Sequence, residues 1–318
     1  MSVAPTYSPL LGRQTGNVAR RKTKNVTMLS LCMLAAGLAI LVLSLVLYFL
    51  LSKGFSSLHL SLFTRLPDNI NIKQGGMIQS IFGTLVLLGI ASCLGLPLGI
   101  LGGIYQLEAR GKFAATVRFF TDVLNGIPSI VIGIFAYAVV VYPAAQRNHG
   151  SGFSAYAGGF ALGILMIPTV MRTTEEILRL VPFALREASL GLGATRWRTM
   201  WSVVLPAARG GVITGIMLAL ARIAGETAPL LFTILGSEYF STHPVALAVK
   251  HKVLAHVVVP TLNAPIDALP LRIFNYSLDV SPDRQAQAWA GAVILITLIL
   301  VLSIAARFAT RGNMQEEK

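Results

Sequence analysis

Charged residues are scarce in this chain of 318 residues. They make up 12% of it, about half the fraction typical of soluble domains, whereas 54% of the residues are hydrophobic. The composition therefore excludes an ordinary soluble domain and predicts a membrane protein. Acidic residues are the scarcer kind, with 13 Asp and Glu against 26 Lys and Arg, so the net charge is +13.

Cysteine is almost absent. The two cysteines, Cys32 and Cys93, both fall within long apolar runs. We expect each to pack as a small apolar side chain and not to belong to a disulfide framework.

The usual signatures of catalysis are missing as well. The single Gly-Lys pair, Gly111-Lys112, has Gln106 and Phe113 where a phosphate-binding loop needs Gly and Ser or Thr. No Ser/His/Asp, Cys/His or paired-carboxylate arrangement stands out in an aqueous segment. We expect no catalytic residues, no metal site and no cofactor held by this chain.

Long apolar runs are what the sequence has in abundance. A helix of ~20 residues crosses the ~30 Å of hydrocarbon in a bilayer, and six runs reach that length. The sequence predicts an all-α membrane protein with a basic cytoplasmic tail at 1–24 and a transmembrane domain at 25–318. The expected spans are about 28–51, 78–104, 123–142, 154–171, 210–235 and 286–306.

The basic residues are distributed unevenly among the loops. With the N-terminus inside the cell, 17 of them fall in cytoplasmic segments and 8 in outer segments. This asymmetry accounts for the positive charge without nucleic acid, and it predicts a multi-pass protein of the bacterial cytoplasmic membrane with both termini inside.

The loop at 172–209 is unusually charged and patterned for a connection between spans. It predicts two short helices joined by a glycine elbow, with Arg186 and Glu187 facing water. The first helix is expected to start at Pro182 and to end at Gly191 or Gly193. Thr195 is expected to cap the second helix, which runs to Leu205-Pro206.

The order of residues in this loop resembles the signature of ABC importer permeases. That signature is Glu-Ala-Ala, three residues, Gly, nine residues, Ile, any residue, Leu-Pro. Two conservative departures occur here, and every spacing is kept. The matching residues are Glu187, Ala188, Ser189, Gly193, Val203, Leu205 and Pro206.

The resemblance implies a type I ABC importer permease fold and a role for the loop. The helix around Glu187 is expected to be a coupling helix that docks on a separate ATPase subunit. ATP and Mg would then bind to that partner, and this chain would form half of a translocation path.

Further segments resemble the phosphate-uptake branch of the family, and the closing one is similar to its PstA-type permease. The implied partners are a homologous PstC-type permease, a PstB-type ATPase dimer and an external PstS-type phosphate-binding protein. The matching segments are 122–135, 171–182, 210–233 and 268–277.

Two charged residues fall inside the fifth expected span. Arg222 lies near its middle and Glu226 one helical turn further. Ionisable residues at membrane depth are costly and face a partner or a water-filled cavity. Two interpretations remain: a salt bridge that locks the bundle, or an anion-compatible path in which Glu226 holds Arg222 or accepts a proton.

Smaller candidates accompany this pair. Asn125 and Ser129 flank Pro128 and are expected either to line the path or to be satisfied within helices. Surface pairs at i, i+4 are expected between Arg118 and Asp122 and between Arg172 and Glu176. The outer segment at 238–284 is expected to contain an interfacial or re-entrant helix around 243–259.

Other functions remain as alternatives. A molybdate or sulfate importer permease is the nearest one. A secondary phosphate transporter is less favoured, because the chain does not repeat as two matching halves. A membrane scaffold would not require charges such as Arg222 and Glu226 within a span.

Overall fold

A computed structural model describes residues 15–148, 151–238, 242–249, 252–260 and 262–311. Most of the expected basic tail, residues 1–14, lies outside the described residues. The chain divides into two compact units, Met1–Ser52 and Lys53–Lys318. All sites below belong to the second unit.

The described residues contain thirteen α-helices and two strands, together with a 3-10 turn at Ile72–Gln74 and π-helical turns at Tyr137–Val141 and Met200–Val204. The first seven helices are α1 Thr15–Ser56, α2 Ser61–Thr64, α3 Ile78–Glu108, α4 Lys112–Gly126, α5 Ser129–Ala136, α6 Tyr142–Asn148 and α7 Ala155–Arg179. The remainder are α8 Phe183–Gly191, α9 Arg196–Thr199, α10 Leu205–Ala224, α11 Ala228–Leu231, β1 Thr242–Val249, β2 Lys252–Pro260, α12 Leu269–Ser277 and α13 Pro282–Arg311.

Six helical segments of the described chain are long and apolar enough to cross a membrane, which confirms the expected number. They are Arg20–Ser56, Ile78–Glu108, Ser129–Arg147, Ala155–Arg179, Arg196–Ala224 and Pro282–Phe308.

Helices α3 and α7 form the centre of the second unit, and glycines bring them close together. A Cβ on Gly95 would lie 2.7 Å from Cβ of Met166, and a Cβ on Gly99 would lie 2.6 Å from Cβ of Val170. On the opposite helix, a Cβ on Gly159 would lie 2.4 Å from the Ile90 side chain. The repeated small residues therefore act in helix packing, as expected for GxxxG patterns.

The third span begins later than expected, and the helix of the fifth span ends earlier. Ile127 is extended before Pro128, so α4 stops at Gly126 and a new helix starts at Ser129. Helix α10 stops at Ala224, well short of residue 235, because Gly225 caps it and Pro229 opens the next short helix.

The second helix of the coupling loop also differs, because it does not stop at Leu205-Pro206. A π-helical turn at Met200–Val204 joins α9 to α10. The backbone N–H of Leu205 donates to the Met200 carbonyl in this wider turn. A π-turn already lacks the regular hydrogen bonds, so Pro206 is tolerated without a break.

The expectation of a helix at 243–259 is wrong. Strands β1 and β2 pair antiparallel there, from Thr242 opposite Pro260 to Val249 opposite Lys252. The consecutive valines Val257, Val258 and Val259 favour extended backbone because they are branched at Cβ.

The expectation that the cysteines are buried is also wrong. Cys32 and Cys93 are both exposed free thiols and not buried packing residues.

Candidate functional site

The glycine elbow of the coupling loop has the expected form. Gly193 has φ of +85°, a left-handed conformation that costs other residues about 1–2 kcal/mol. The Thr195 side chain then accepts a hydrogen bond from the Arg198 N–H at 3.3 Å and caps the following helix. A short helix, a left-handed residue and a capped second helix follow one another.

Helix α8, which we call the coupling helix, presents its signature residues to the surface. Glu187 and Ala188 are exposed, as are the neighbouring apolar side chains of Phe183 and Leu192. Ser189 points inward, where its hydroxyl lies 2.9 Å from the Thr199 hydroxyl. The exposed surface of the coupling helix therefore combines large apolar side chains with one carboxylate.

Arg186 does not face water as expected. Its guanidinium lies 3.2 Å from Glu108 Oε1 and donates to the Leu178 carbonyl oxygen at 2.9 Å. Glu108 ends α3, and Leu178 is one residue before the end of α7. A cation is favourable at such helix C-termini, so Arg186 attaches the coupling helix to two membrane helices. We call this end of the unit the coupling end.

Arg118 also differs from the expectation, because its partner is Glu175 and not Asp122. The distance from its guanidinium to Glu175 Oε1 is 2.9 Å. The expected pair between Arg172 and Glu176 is present at 2.8 Å. Arg172 additionally reaches Asp122 at 3.6 Å.

Arg222 and Glu226 form a loose pair at 4.0 Å. Arg222 lies in the last turn of α10 and not in the middle of a span, and Glu226 follows the Gly225 cap. The Arg222 side chain is 55% exposed and that of Glu226 20%. So long and open an ion pair contributes little to stability, which weakens the interpretation as a lock.

Asn125 and Ser129 lie on either side of the break at Pro128. The Asn125 amide donates to the Pro168 carbonyl of α7 at 3.5 Å, and Ser129 is the first residue of α5. Within the described residues, neither side chain makes a hydrogen bond to the Arg222–Glu226 pair.

Close backbone packing nevertheless brings the helix that begins at Ser129 against the segment that follows Glu226. A Cβ on Gly133 of α5 would lie 2.6 Å from Cα of Pro229. Helix α11, just after Glu226, therefore packs against the helix that begins at Ser129.

A polar cluster that sequence reasoning missed lies at the opposite end of α3. Asp267 is buried and accepts hydrogen bonds from the Arg272 guanidinium at 2.7 Å and from the Ser80 hydroxyl. Arg272 also contacts Glu238 at 3.2 Å. Burial raises the pKa of the Asp267 carboxyl, against the opposing effect of Arg272. We call Asp267, Arg272, Glu238 and Ser80 the far-end cluster.

A second arginine extends this cluster. Arg284 donates to the Tyr276 hydroxyl at 2.5 Å and to the Asn69 side chain at 2.5 Å. Its guanidinium also lies 4.5 Å from the centre of the Tyr276 ring. The arginines within 268–284 were a sequence signal for buried pairs. A partner can be remote in the chain, as in the hydrogen bond across 215 positions between Arg284 and Asn69.

The fold and the coupling loop define the class of protein. Residues 95–247 match the family described as binding-protein-dependent transport system inner membrane component. A solved bacterial alginate ABC transporter, crystallised with its alginate pentasaccharide-bound periplasmic protein, has a chain similar to this one with a TM-score of 0.54. That match has 16% identity over 94% of this chain and 98% of the other. A chain of the inward-facing MetNI methionine ABC transporter gives a TM-score of 0.51 at 18% identity, over 74% of this chain and 92% of the other. The chain therefore has the expected type I ABC importer permease fold.

Relatives at higher identity specify the family. The phosphate transport system permease protein PstA of Yersinia pestis is 39% identical over 91% of this chain and 90% of its own length. The protein of that name from Haemophilus influenzae is 37% identical over 90% of this chain and 94% of its own length. This chain belongs to the PstA family of transport permeases and is a multi-pass component of the inner membrane.

Proposed function

We propose that this chain is the membrane permease subunit of an ATP-driven phosphate importer and forms half of its translocation path. The observation that carries the proposal is the likeness, over about nine-tenths of the chain, to permeases named for phosphate transport. The exposed coupling helix supports the ATP-driven part, because a permease without a nucleotide-binding loop needs a surface for a separate ATPase.

The proposed complex contains four kinds of subunit. A PstB-type ATPase dimer binds ATP and Mg and docks on the coupling helix around Glu187. A homologous PstC-type permease completes the path, and a PstS-type binding protein delivers phosphate from outside. ATP-driven closure of the ATPases moves the coupling helices and changes which side of the path is open.

Arg222 and Glu226 are proposed as path residues. The guanidinium of Arg222 is half-exposed, and its ion pair within the described residues is the loose one with Glu226 at 4.0 Å, which suits an anion in transit. Arg222 lies beside Glu226 and offsets the repulsion between the Glu226 carboxylate and that anion. Glu226 can also accept a proton from a protonated phosphate oxygen. Asn125 and Ser129 line the same path near the break at Pro128.

The proposed orientation places the coupling end in the cytoplasm and the far-end cluster outside the cell, with both termini inside. The distribution of basic residues supports this orientation, since most of them fall at the coupling end or in the terminal segments.

The decisive experiment is ATP hydrolysis and uptake by the complex purified with its native partners and reconstituted in vesicles. Phosphate is expected to stimulate both activities when the binding protein is present. Molybdate and sulfate are the matched comparisons, because they are tetrahedral oxyanions of similar size. Stimulation by either of them, without stimulation by phosphate, would contradict the proposed substrate.

A further inference from the structure

Glu175 is a buried acidic residue at the coupling end that the proposed path does not use. Its side chain is 2% exposed. Its Oε1 atom accepts hydrogen bonds from Arg118 at 2.9 Å and from Arg179 at 2.5 Å. A buried carboxylate is tolerated when it is paired in this way, so the two arginines account for the burial of Glu175.

The partners of Glu175 come from different elements. Arg179 lies one turn further along α7, whereas Arg118 lies in α4. Arg118 also donates to the backbone carbonyl of Gln106 in α3 at 2.9 Å. One carboxylate and one guanidinium thus connect α3, α4 and α7.

The Arg118–Glu175 pair is only half formed. Nε of Arg118 and Oε2 of Glu175 are both buried and have no hydrogen-bond partner within the described chain. These are the two atoms that a second parallel hydrogen bond of an arginine–carboxylate pair would use. An approach of α4 to α7 that closed this second bond would give the pair a second arrangement, different from the one in this structure.

The same pair lies between the coupling helix and the proposed path. Arg186 of the coupling helix donates to the Leu178 carbonyl, three residues after Glu175 on α7. On the other side, Arg118 belongs to the helix that carries Asn125 and ends just before Pro128. A displacement of the coupling helix would therefore reach α7 first, then α4, and then the break beside the path.

We propose that Glu175 is a positioning residue that transmits motion of the coupling helix to α4 through Arg118. The inference rests on the proposed function, because it assigns a step in the coupling of ATP hydrolysis to transport. Coupling of this kind requires an element with two arrangements that both sites influence, and the half-formed pair provides it.

The test compares two neighbouring glutamates of α7. Glu175→Met removes the acceptor oxygens and keeps an unbranched side chain of similar length. Glu176→Met is the matched control, since Glu176 is the next residue, pairs with Arg172 at 2.8 Å and has a side chain that is 60% exposed. The measured quantity is phosphate taken up per ATP hydrolysed by the reconstituted complex.

Glu175→Met is expected to lower this ratio by roughly fivefold or more, the lower end of typical coupling effects. Glu176→Met should match the parent. Glu175→Gln retains an oxygen that accepts from Arg118, so it should recover part of the ratio. A purely stabilising role would instead lower the amount of assembled complex and leave phosphate per ATP unchanged.

Arg118→Met keeps the test decisive if Glu175→Met does not assemble, because it leaves Glu175 paired with Arg179. It should reduce the phosphate taken up per ATP as Glu175→Met does. If the parent complex transports phosphate and both variants take up as much phosphate per ATP as the parent, the inference is overturned and the proposed function stands. Failure of both to assemble, with Glu176→Met intact, would also overturn the inference. A parent that hydrolyses ATP but moves no oxyanion would contradict the proposed function itself.

Discussion

A Cβ atom on Gly83 would lie 2.0 Å from the carbonyl oxygen of Asp267. The segment before α12 therefore lies directly against α3, and the Leu269 N–H donates to the Thr84 hydroxyl at 2.8 Å beside this contact. The far-end cluster is assembled on this close approach.

The first prediction follows from that approach. Gly83→Ala should destabilise the protein by about 1–3 kcal/mol, since the added methyl group overlaps backbone that cannot rotate away. A lower midpoint of thermal unfolding in detergent would be the measurement. Gly89→Ala is the matched control on the same helix, because a Cβ there meets nothing within 4 Å. Equal midpoints for the two variants would contradict the prediction.

The buried pair of Asp267 and Arg272 gives the second prediction. Asp267→Asn or Arg272→Met should each cost ~3–5 kcal/mol, because each change removes one member of a buried ion pair and keeps the other. The double variant should lose less than the sum of the two single variants. Thermal unfolding of all four proteins measures the interaction, and strictly additive losses would show that the two side chains act independently.

The third prediction concerns the elbow after the coupling helix. Gly193→Ala places a side chain in the left-handed region and should cost about 1–2 kcal/mol locally. It should therefore lower recovery of the ATPase with the permease. Gly191→Ala is the control, since neither glycine has an atom within 4 Å of its added Cβ and only Gly193 has positive φ. Unchanged ATPase recovery with Gly193→Ala would argue against the elbow.

Arg222 gives the fourth prediction. Because its pair with Glu226 is long and exposed, Arg222→Gln should leave membrane abundance close to the parent value. Phosphate uptake per assembled complex should fall, by roughly tenfold if the lost contact is worth about 1.4 kcal/mol to the anion in transit.

Glu226→Gln combined with Arg222→Gln separates the two interpretations of this pair. The combined variant should assemble but remain defective in uptake if Arg222 serves the anion. Full recovery of uptake by the combined variant would show that the pair only balances its own charges.

The fifth prediction tests the orientation. In a background where Cys32 and Cys93 are replaced by serine, Leu278→Cys should react with a membrane-impermeant thiol reagent added outside intact cells. Leu192→Cys should react only after the cells are opened. Both positions are exposed, so access across the membrane decides the result. The reverse pattern would invert the proposed topology.

Local chemistry was sufficient to predict the elbow of the coupling loop. Positive φ at Gly193 and the cap by Thr195 depend on residues only a few positions apart. Such contacts can be inferred from order along the chain. The six spans were predictable for a similar reason, because the length and apolar character of each run determine whether it can cross a bilayer.

Partners in space could not be inferred in the same way. The i, i+4 spacing predicted Asp122 for Arg118, but packing of α4 on α7 brings Glu175 closer. Likewise, the sequence predicted that Arg186 faces water, but the ends of α3 and α7 lie beside it and bind it. The sequence by itself determined the number of spans and the elbow of the coupling loop with its cap, since both follow from short-range backbone and hydropathy preferences. Only the tertiary structure decided which charges are paired, because burial and distance between remote helices depend on how the whole unit packs.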